Sequence, residues 1–447
     1  MAERSAHAGS GAACDFVLRG ASELVTMRGP DLGVIEGGAL AARDGRIVWV
    51  GEERELERVV AVQDDALVVD AEGAAVLPGF VDAHTHAVFA GERAGEYGER
   101  LAGVSYQEIL ARGGGINATV RATRLASGEE LAELTRRRLD SFLVHGTTTL
   151  EIKSGYGLTL EDERKMLRAA ALPHATRRVR TMLAAHFTPP EYAGDDDAFI
   201  DLVAREMVPA LRDEAEYCDV FCDDGAFTVE QSRRVLEAAR AAGYGLRIHA
   251  DELARSGGSL LAAEMGCVSA DHLVHAGERE IAALRAAGVV AVLLPGTSYT
   301  LHSAYAPARA FVDAGVAIAL ASDFNPGTCY CENLQAIVSL ACQEMRLTPV
   351  EALRAATLGG ACALGLQGEV GSLEAGKRCD LVVLAAEGYR ELPYHFGVNL
   401  VDAVVVDGRL VVSGGTPVTA EQGGRGEERA GGIGDRAGAT RGRGATS

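Results

Sequence analysis

The stretch Leu77-Pro78-Gly79-Phe80-Val81-Asp82-Ala83-His84-Thr85-His86 decides how this 447-residue chain is interpreted. It is a short apolar run that ends in polar residues, and we predict a buried strand over 76–86. Side chains two positions apart on a strand face the same side, so His84 and His86 are expected to point together. Two imidazoles this close can chelate a divalent metal, although a His-x-His pair also occurs by chance.

Further apolar runs with polar ends follow this stretch, and amphipathic helical patterns separate them. The other predicted strands are 147–154, 180–186, 218–224, 245–251, 269–275, 289–295 and 316–323. Apolar residues recur at helical spacing in 229–242 and 278–287, which predicts helices there. Repeated alternation of strand and helix predicts an α/β fold, a closed (β/α)8 TIM barrel over residues 77–373.

Shorter β-type runs with Gly and Asp turns flank the predicted barrel on both sides. The segment Asp44-Gly45-Arg46-Ile47-Val48 is echoed by Asp407-Gly408-Arg409-Leu410-Val411 near the other end. We therefore expect residues 14–76 and 374–415 to form one small β-sandwich domain from both chain ends. Residues 1–13 are expected to be a flexible N-terminus, and 416–447 a disordered Gly/Arg-rich tail that lacks large apolar residues.

The composition narrows the class of partner. A formal charge of −20, from 43 basic and 63 acidic residues, argues against nucleic acid and against an anionic membrane surface. No apolar run approaches the roughly 20 residues of a membrane span, and the first residues lack the apolar core of a secretory signal. We expect a cytoplasmic protein that acts on a small molecule; a homodimer, common among barrels, is left open.

The nine cysteines have no framework spacing, which favours reduced thiols. Cys329 and Cys331 flank one residue, and Cys218 and Cys222 flank three. A zinc site at either pair lacks a second paired set. Small buried side chains are therefore the favoured interpretation.

Polar residues at the carboxyl ends of barrel strands face the active site. The residues found there are His84, His86, His186, His249, His272 and Asp323. We predict that His84, His86, His249 and Asp323 hold a metal, and Zn²⁺ or Fe²⁺/Fe³⁺ suits these donors equally. The fourth strand has no lysine to bridge a second ion, so one divalent ion is expected. Lys153, at the second strand, is taken as a structural or peripheral cation.

At this point the residues resemble a known group. The opening stretch, with His249, His272 and Asp323, resembles the amidohydrolase superfamily, and 371–377 followed by 379–383 resembles its return to the small β domain. Finer motifs resemble the imidazolonepropionase family across residues 14–413. They lie at 88–93, 113–116, 119–124, 151–158, 249–252 and 322–328. Phe187 after His186 departs from the family's usual pattern.

The resemblance implies hydrolysis of a cyclic amide, 4-imidazolone-5-propanoate, to N-formimino-L-glutamate. It implies catalytic roles for Glu252, His272 and Asp323, with His272 beside the substrate and Glu252 as the proton shuttle. The implied substrate contacts are Arg93, Tyr156, His186, Glu252, Asn325, Gly327 and Thr328. Arg93 would grip the propanoate tail. The division of acid and base duties stays open.

Each of these roles has a plainer alternative. Glu252 could be an exposed carboxylate that begins the next helix, and Arg93 a surface partner of Glu92 or Glu96. The stretch 113–115 lacks the order of a phosphate loop and is expected to be a mobile lid or turn. Two other functions compete: another amidohydrolase-superfamily hydrolase or deaminase acting on a nitrogen heterocycle, and a scaffold protein that has lost its metal. A carboxylate-binding Arg93 disfavours the deaminase, and the intact ligands disfavour the scaffold.

Overall fold

The computed structural model describes residues 12–418 and divides them into two units. One unit ends at Gly79 and resumes at Ser372, and the other is Phe80–Gly371. Most of the predicted flexible N-terminus and most of the predicted disordered tail lie outside the described residues. The first strand begins at Ala12 and the last ends at Pro417, so regular structure starts before residue 14 and continues past residue 415.

The strands of residues 12–418 are β1 (Ala12–Val25), β2 (Val34–Arg43), β3 (Arg46–Glu52), β4 (Val60–Asp70), β5 (Val76–Pro78), β6 (Phe80–Asp82), β7 (Thr147–Lys153), β8 (Arg177–Ala185), β9 (Tyr217–Cys222), β10 (Gly245–Ala250), β11 (Ser269–His272), β12 (Val290–Leu293), β13 (Ile318–Leu320), β14 (Leu381–Leu384), β15 (Val401–Val406), β16 (Arg409–Ser413) and β17 (Thr416–Pro417).

The α-helices of the same residues are α1 (Leu56–Val59), α2 (Ala94–Leu101), α3 (Tyr106–Ala111), α4 (Ile116–Leu125), α5 (Gly128–Val144), α6 (Leu160–Ala170), α7 (Asp196–Leu202), α8 (Val208–Ala210), α9 (Val229–Ala242), α10 (Gly258–Met265), α11 (Glu278–Ala287), α12 (Pro295–Leu301), α13 (Ala308–Asp313), α14 (Leu334–Glu344), α15 (Pro349–Arg354), α16 (Gly360–Ala363) and α17 (Glu391–Tyr394). The two helices predicted from apolar spacing, α9 and α11, have the predicted bounds.

Strands β6–β13 form an eight-stranded parallel sheet in chain order, which confirms the predicted barrel. Among the described residues, no ladder joins β6 to β13. The barrel closes instead through hydrogen bonds just past the carboxyl ends of these two strands. Asp323 N donates to His84 O at 3.0 Å, and His86 N donates to Phe324 O at 2.8 Å. Closure therefore occurs at the carboxyl rim, and it fixes the backbone of three predicted site residues.

The predicted first strand, 76–86, is not one strand. β5 pairs with β1 and β14, whereas β6 pairs with β7. Pro78 has no amide hydrogen to continue a ladder, and at Gly79 the chain passes from one unit to the other. As a consequence, His84 and His86 lie past the end of β6, on the loop that closes the barrel.

The other unit is a nine-stranded sheet in the order β17-β16-β15-β14-β5-β1-β2-β3, with β4 also on β1. Strands from both chain ends contribute, as predicted, and hydrogen bonds join them all in one sheet. In the two echoing segments, the Asp-Gly turns have positive φ at both residues, as tight hairpin turns require. Cys379 links these turns: its N donates to Gly45 O at 2.9 Å, and its O accepts from Gly408 N at 3.0 Å.

The nine cysteines all lie within the described residues, and none forms a disulfide. Within residues 12–418, no helix has the length and apolar character that a membrane crossing would need.

Candidate metal-dependent active site

The carboxyl rim of the barrel gathers the histidines that the sequence placed at separate strand ends. The rings of His84 and His249 lie 4.5 Å apart, and those of His84 and His86 lie 5.3 Å apart. His272 lies 5.2 Å from His249, and His186 lies 5.1 Å from His86. Five of the predicted site residues thus form one continuous cluster in space.

Three of the four predicted metal ligands, His84, His86 and Asp323, bring donor atoms within 4.8 Å of one another. Oδ1 of Asp323 lies 3.5 Å from His84 Nε2 and 3.6 Å from His86 Nε2. The Nε2 atoms of His84 and His249 are buried without a hydrogen-bond partner. Orphaned buried nitrogens beside a carboxylate are costly unless a ligand satisfies them. The donor set therefore fits a divalent ion that prefers nitrogen and oxygen ligands.

The distances between donor atoms would also allow His272 to bind the metal. Donor atoms of His84, His86 and Asp323 lie within 4.8 Å of one another, and so do those of His84, His249 and His272. His272 is the one member that the sequence analysis assigned to the substrate. Its Nε2 lies 3.6 Å from Glu252 Oε2, so it stands beside the proposed proton shuttle.

Two buried carboxylates behind the histidines were missed from sequence. Asp271 Oδ2 lies 2.6 Å from His84 Nδ1, and Asp219 Oδ2 lies 3.0 Å from His249 Nδ1. Each leaves the Nε2 atom of its histidine facing the cluster, as metal-binding imidazoles require. Burial would raise the pKa of Asp219, but the charges of His249 and Lys153 hold that pKa well below its usual range. For Asp219, an acidic residue inside an otherwise mostly apolar strand was the available signal.

The two acid–base candidates have different environments. Burial and then the charge of Asp323 raise the pKa of Glu252 to about 8. Burial raises the pKa of Asp323 to about 6, although the hydrogen bond from Thr297 opposes that change. The Glu252 side chain is only 13% exposed, and α10 does not begin until Gly258, so the alternative of an exposed helix-initiating carboxylate is excluded.

Four histidines of the cluster have lowered pKa values, which favours their neutral form. Burial lowers the pKa of His186 to about 3, and it lowers the pKa values of His84, His86 and His272 well below the usual range. Neutral imidazoles can bind a metal or accept a hydrogen bond. His249 differs, because the charge of Asp219 outweighs burial and raises its pKa.

A cavity of about 360 Å³ opens beside the histidine cluster. All the predicted substrate contacts line it: Arg93, Tyr156, His186, Glu252, Asn325, Gly327 and Thr328. Sequence reasoning missed five other lining residues: Arg100, Ile116, Phe221, Leu253 and Leu301. Of these, only Arg100 had a sequence signal, since it follows Arg93 by seven residues, about two helical turns.

Arg93 does pair with Glu96, as the plainer alternative held, but Arg93 also lines the cavity. Arg93 Nε donates to Glu96 Oε2 at 2.7 Å, and the Arg93 side chain is 11% exposed. Glu96 Oε1 also accepts from Gly115 N at 3.0 Å. Gly115 has φ 67° and ψ −151°, a conformation essentially restricted to glycine. The Gly-rich stretch is therefore a turn, and Glu96 connects it to Arg93 through hydrogen bonds to both.

The loop 155–158 presents Tyr156 to the cavity. Three of its backbone amides donate to the buried carboxylate of Glu163 at 2.7–3.0 Å. The carbonyl of Gly155 lies 3.0 Å from His186 Nδ1. One carboxylate on α6 thus organises a loop that holds two predicted substrate contacts.

The turn after Asp323 is held by Asn325. Its Oδ1 accepts from the amides of Gly327 at 2.8 Å and Thr328 at 2.7 Å, and its Nδ2 donates to Asp323 O at 2.7 Å. The Asn325 amide therefore shapes the cavity wall in addition to lining it.

The parallel barrel, the histidine and aspartate cluster at its rim and the separate sheet define a hydrolase of the amidohydrolase type. The amidohydrolase family model matches residues 75–411. A solved adenosine deaminase from Xanthomonas campestris with bound zinc shares the fold, with a TM-score of 0.70 and 22% identity over 91% of this chain and 95% of that one.

Sequence similarity narrows the class further. The imidazolonepropionase of Symbiobacterium thermophilum is 51% identical over 416 residues, which cover 90% of this chain and 98% of that enzyme. The imidazolonepropionase of Alkaliphilus metalliredigens is 46% identical over 90% of this chain and 99% of that enzyme. The chain belongs to the imidazolonepropionases, within the amidohydrolase family.

Proposed function

We propose that this chain hydrolyses the ring amide of 4-imidazolone-5-propanoate to N-formimino-L-glutamate, the third step in the degradation of histidine to glutamate. The observation that carries the proposal is one cavity lined both by metal donors and by the largely buried Arg93. A cyclic amide with a propanoate tail needs both features.

The proposed cofactor is one divalent ion, zinc or iron, held by His84, His86, His249 and Asp323. When bound, such an ion acts as a Lewis acid and makes hydroxide available near neutral pH. His272 stays outside the ligand set in this proposal and faces the substrate carbonyl oxygen, to which it can offer a ring N–H. Metal analysis of the purified protein distinguishes zinc from iron.

The proton path uses the two carboxyl groups. Asp323, with a pKa of about 6, is ionised at neutral pH and accepts the proton of the attacking water. Glu252, with a pKa of about 8, is protonated at neutral pH and delivers its proton to the ring nitrogen as the amide bond breaks. Proton transfer from Asp323 to Glu252 then restores both groups.

The rest of the cavity orients the substrate. The guanidinium of Arg93 forms a two-point contact with the propanoate carboxylate. Tyr156 and His186 contact the ring, and Gly327 and Thr328 contact the formimino-glutamate portion. The acidic composition supports a cytoplasmic enzyme without nucleic acid or membrane partners. Light scattering on the purified protein distinguishes monomer from homodimer.

The proposal is tested by incubating metal-quantified protein with freshly generated imidazolone propanoate. The ring's ultraviolet absorbance is followed, and the product is identified by mass. We expect rapid conversion to N-formimino-glutamate, and we expect a chelator to stop it. No turnover by a metal-loaded protein would reject this substrate and direct the search to other cyclic amides and amino-substituted rings.

A further inference from the structure

A lysine lies buried beneath the histidine cluster. Lys153, the last residue of β7, has a side chain with no solvent exposure. Its Nζ lies 2.7 Å from Asp219 Oδ2, 2.9 Å from Glu151 Oε1 and 3.4 Å from Asp271 Oδ2. A cation so placed is structural and not peripheral, and the proposed proton path does not use it.

Two of these oxygen atoms have a second task. Asp219 Oδ2 also lies 3.0 Å from His249 Nδ1, and Asp271 Oδ2 also lies 2.6 Å from His84 Nδ1. The two ligand histidines are therefore connected through one ammonium group. Each link in this path is a contact between fully or almost fully buried groups.

The charges of the cluster make the ammonium necessary. Three buried carboxylates, of Glu151, Asp219 and Asp271, face two buried cations, Lys153 and Arg247. Without Lys153 the three buried carboxylates would lose the cation that bridges them, and they would repel one another in a dry site. Asp219 and Asp271 would then be held less firmly against His249 and His84, which they contact.

Arg247 cannot replace this contact. Its Nε lies 3.3 Å from Glu151, its Nη1 donates to Ser269 and its Nη2 donates to Ala363 O. None of these three contacts is with a carboxylate that holds a ligand histidine.

We propose that Lys153 is a positioning residue of the metal centre, whose single ammonium holds Asp219 and Asp271 in place by contacting both, and so fixes His84 and His249 as a coupled pair of ligands. The inference rests on the metal site assigned under the proposed function. It adds a residue that touches neither metal nor substrate.

The test compares the wild-type holoenzyme with Lys153→Met and with Lys153→Met/Glu151→Gln. Zinc affinity is measured by competition with a chromophoric chelator, and the visible spectrum of the cobalt-substituted proteins reports ligand geometry. We expect Lys153→Met to bind zinc about 10- to 100-fold more weakly, with an altered cobalt spectrum. The double variant removes one charge of each sign, so its metal-free unfolding temperature should recover while its zinc affinity stays low.

The control is Leu139→Ala, which removes a buried apolar side chain on α5. It should lower the unfolding temperature and leave zinc affinity and the cobalt spectrum unchanged. Wild-type zinc affinity in Lys153→Met, or full recovery of affinity in the double variant, would overturn the inference. A wild-type protein that binds no divalent metal would instead overturn the proposed metal site.

Discussion

The individual residues of the site owe their chemistry to burial. Glu252 and Asp323 are both carboxylic acids, yet their pKa values of about 8 and about 6 leave one protonated and the other ionised near pH 7. Pairs of titratable groups whose environments separate their pKa values are typical of acid–base catalysis. The division of duties proposed above, with Asp323 as the base and Glu252 as the acid, rests on this difference.

The pH profile tests the acid role of Glu252. Its pKa is raised, so the proton is present below about pH 8 and lost above it. We therefore expect kcat/KM to fall above that pH. Glu252→Gln cannot donate a proton in this way and should lower kcat about 10²- to 10⁴-fold. A profile that keeps the same alkaline decline in Glu252→Gln would assign the decline to another group.

The proposed carboxylate-binding role of Arg93 predicts that its loss affects substrate binding and not the chemical step. Removing charged hydrogen bonds to the propanoate should raise KM of Arg93→Ala about 10- to 100-fold and change kcat little. Metal content should be unchanged, because Arg93 touches none of the four proposed ligands. Arg112→Ala, which removes an exposed arginine that pairs with Glu99, is the control. Equal KM values in the two variants would contradict the assignment.

Sequence alone predicted which residue types stand at the rim, because a parallel barrel brings the carboxyl end of every strand to the same rim. It could not place Asp219 and Asp271 behind the histidines. Their roles depend on distances between neighbouring strands, which no single strand encodes. Arg100 was missed for the same reason, since its place in the cavity depends on how α2 packs beside the turn at Gly327.

At the scale of elements, short strands bring the site residues to the rim of the barrel. The loops that follow the strands set the direction of their side chains. Asp323 follows β13 with φ 50°, and His272 ends β11 with φ 75°, both in the region that non-glycine residues rarely adopt. Such backbone strain is commonly found at functional sites. The break between β5 and β6 could not be predicted from periodicity, because one apolar run continues across Gly79.

The loop 155–158 offers a prediction at this scale. Glu163 accepts three of its amides, so Glu163→Ala leaves those donors buried and should release Tyr156 and His186 together. We expect a KM increase of about 10-fold or more with unchanged metal content. Glu161→Ala, on the same helix and exposed, is the control. Loss of metal in Glu163→Ala would show that the loop also supports the metal centre.

At the scale of the whole molecule, the proposed site belongs to one unit. Every proposed ligand and every residue that lines the cavity lies within Phe80–Gly371. The sheet formed by both chain ends contributes none of them. The sequence predicted this division from the switch between hairpin patterns and strand–helix alternation, which is a property of long segments and not of single residues.

Removal of the metal should therefore destabilise one unit selectively. An ion that binds only the native form stabilises it by about 2.7 kcal/mol when its free concentration is 100 times its dissociation constant. Chelation should remove this contribution to the free energy of unfolding, and the unfolding temperature should therefore fall. Hydrogen exchange should increase in peptides from the barrel strands β6–β13, because only the opening of that unit releases the ion.

The matched variant is Asp323→Ala, which removes one ligand and the proposed base. It should be inactive and bind metal weakly, so chelation should shift its unfolding temperature much less than that of the wild type. Peptides from β1, β2 and β15 should exchange at the same rate with and without metal in both proteins. If chelation loosened these strands as much as the barrel, the metal would stabilise the chain as one cooperative unit, and the selective effect argued from the placement of the ligands would be wrong.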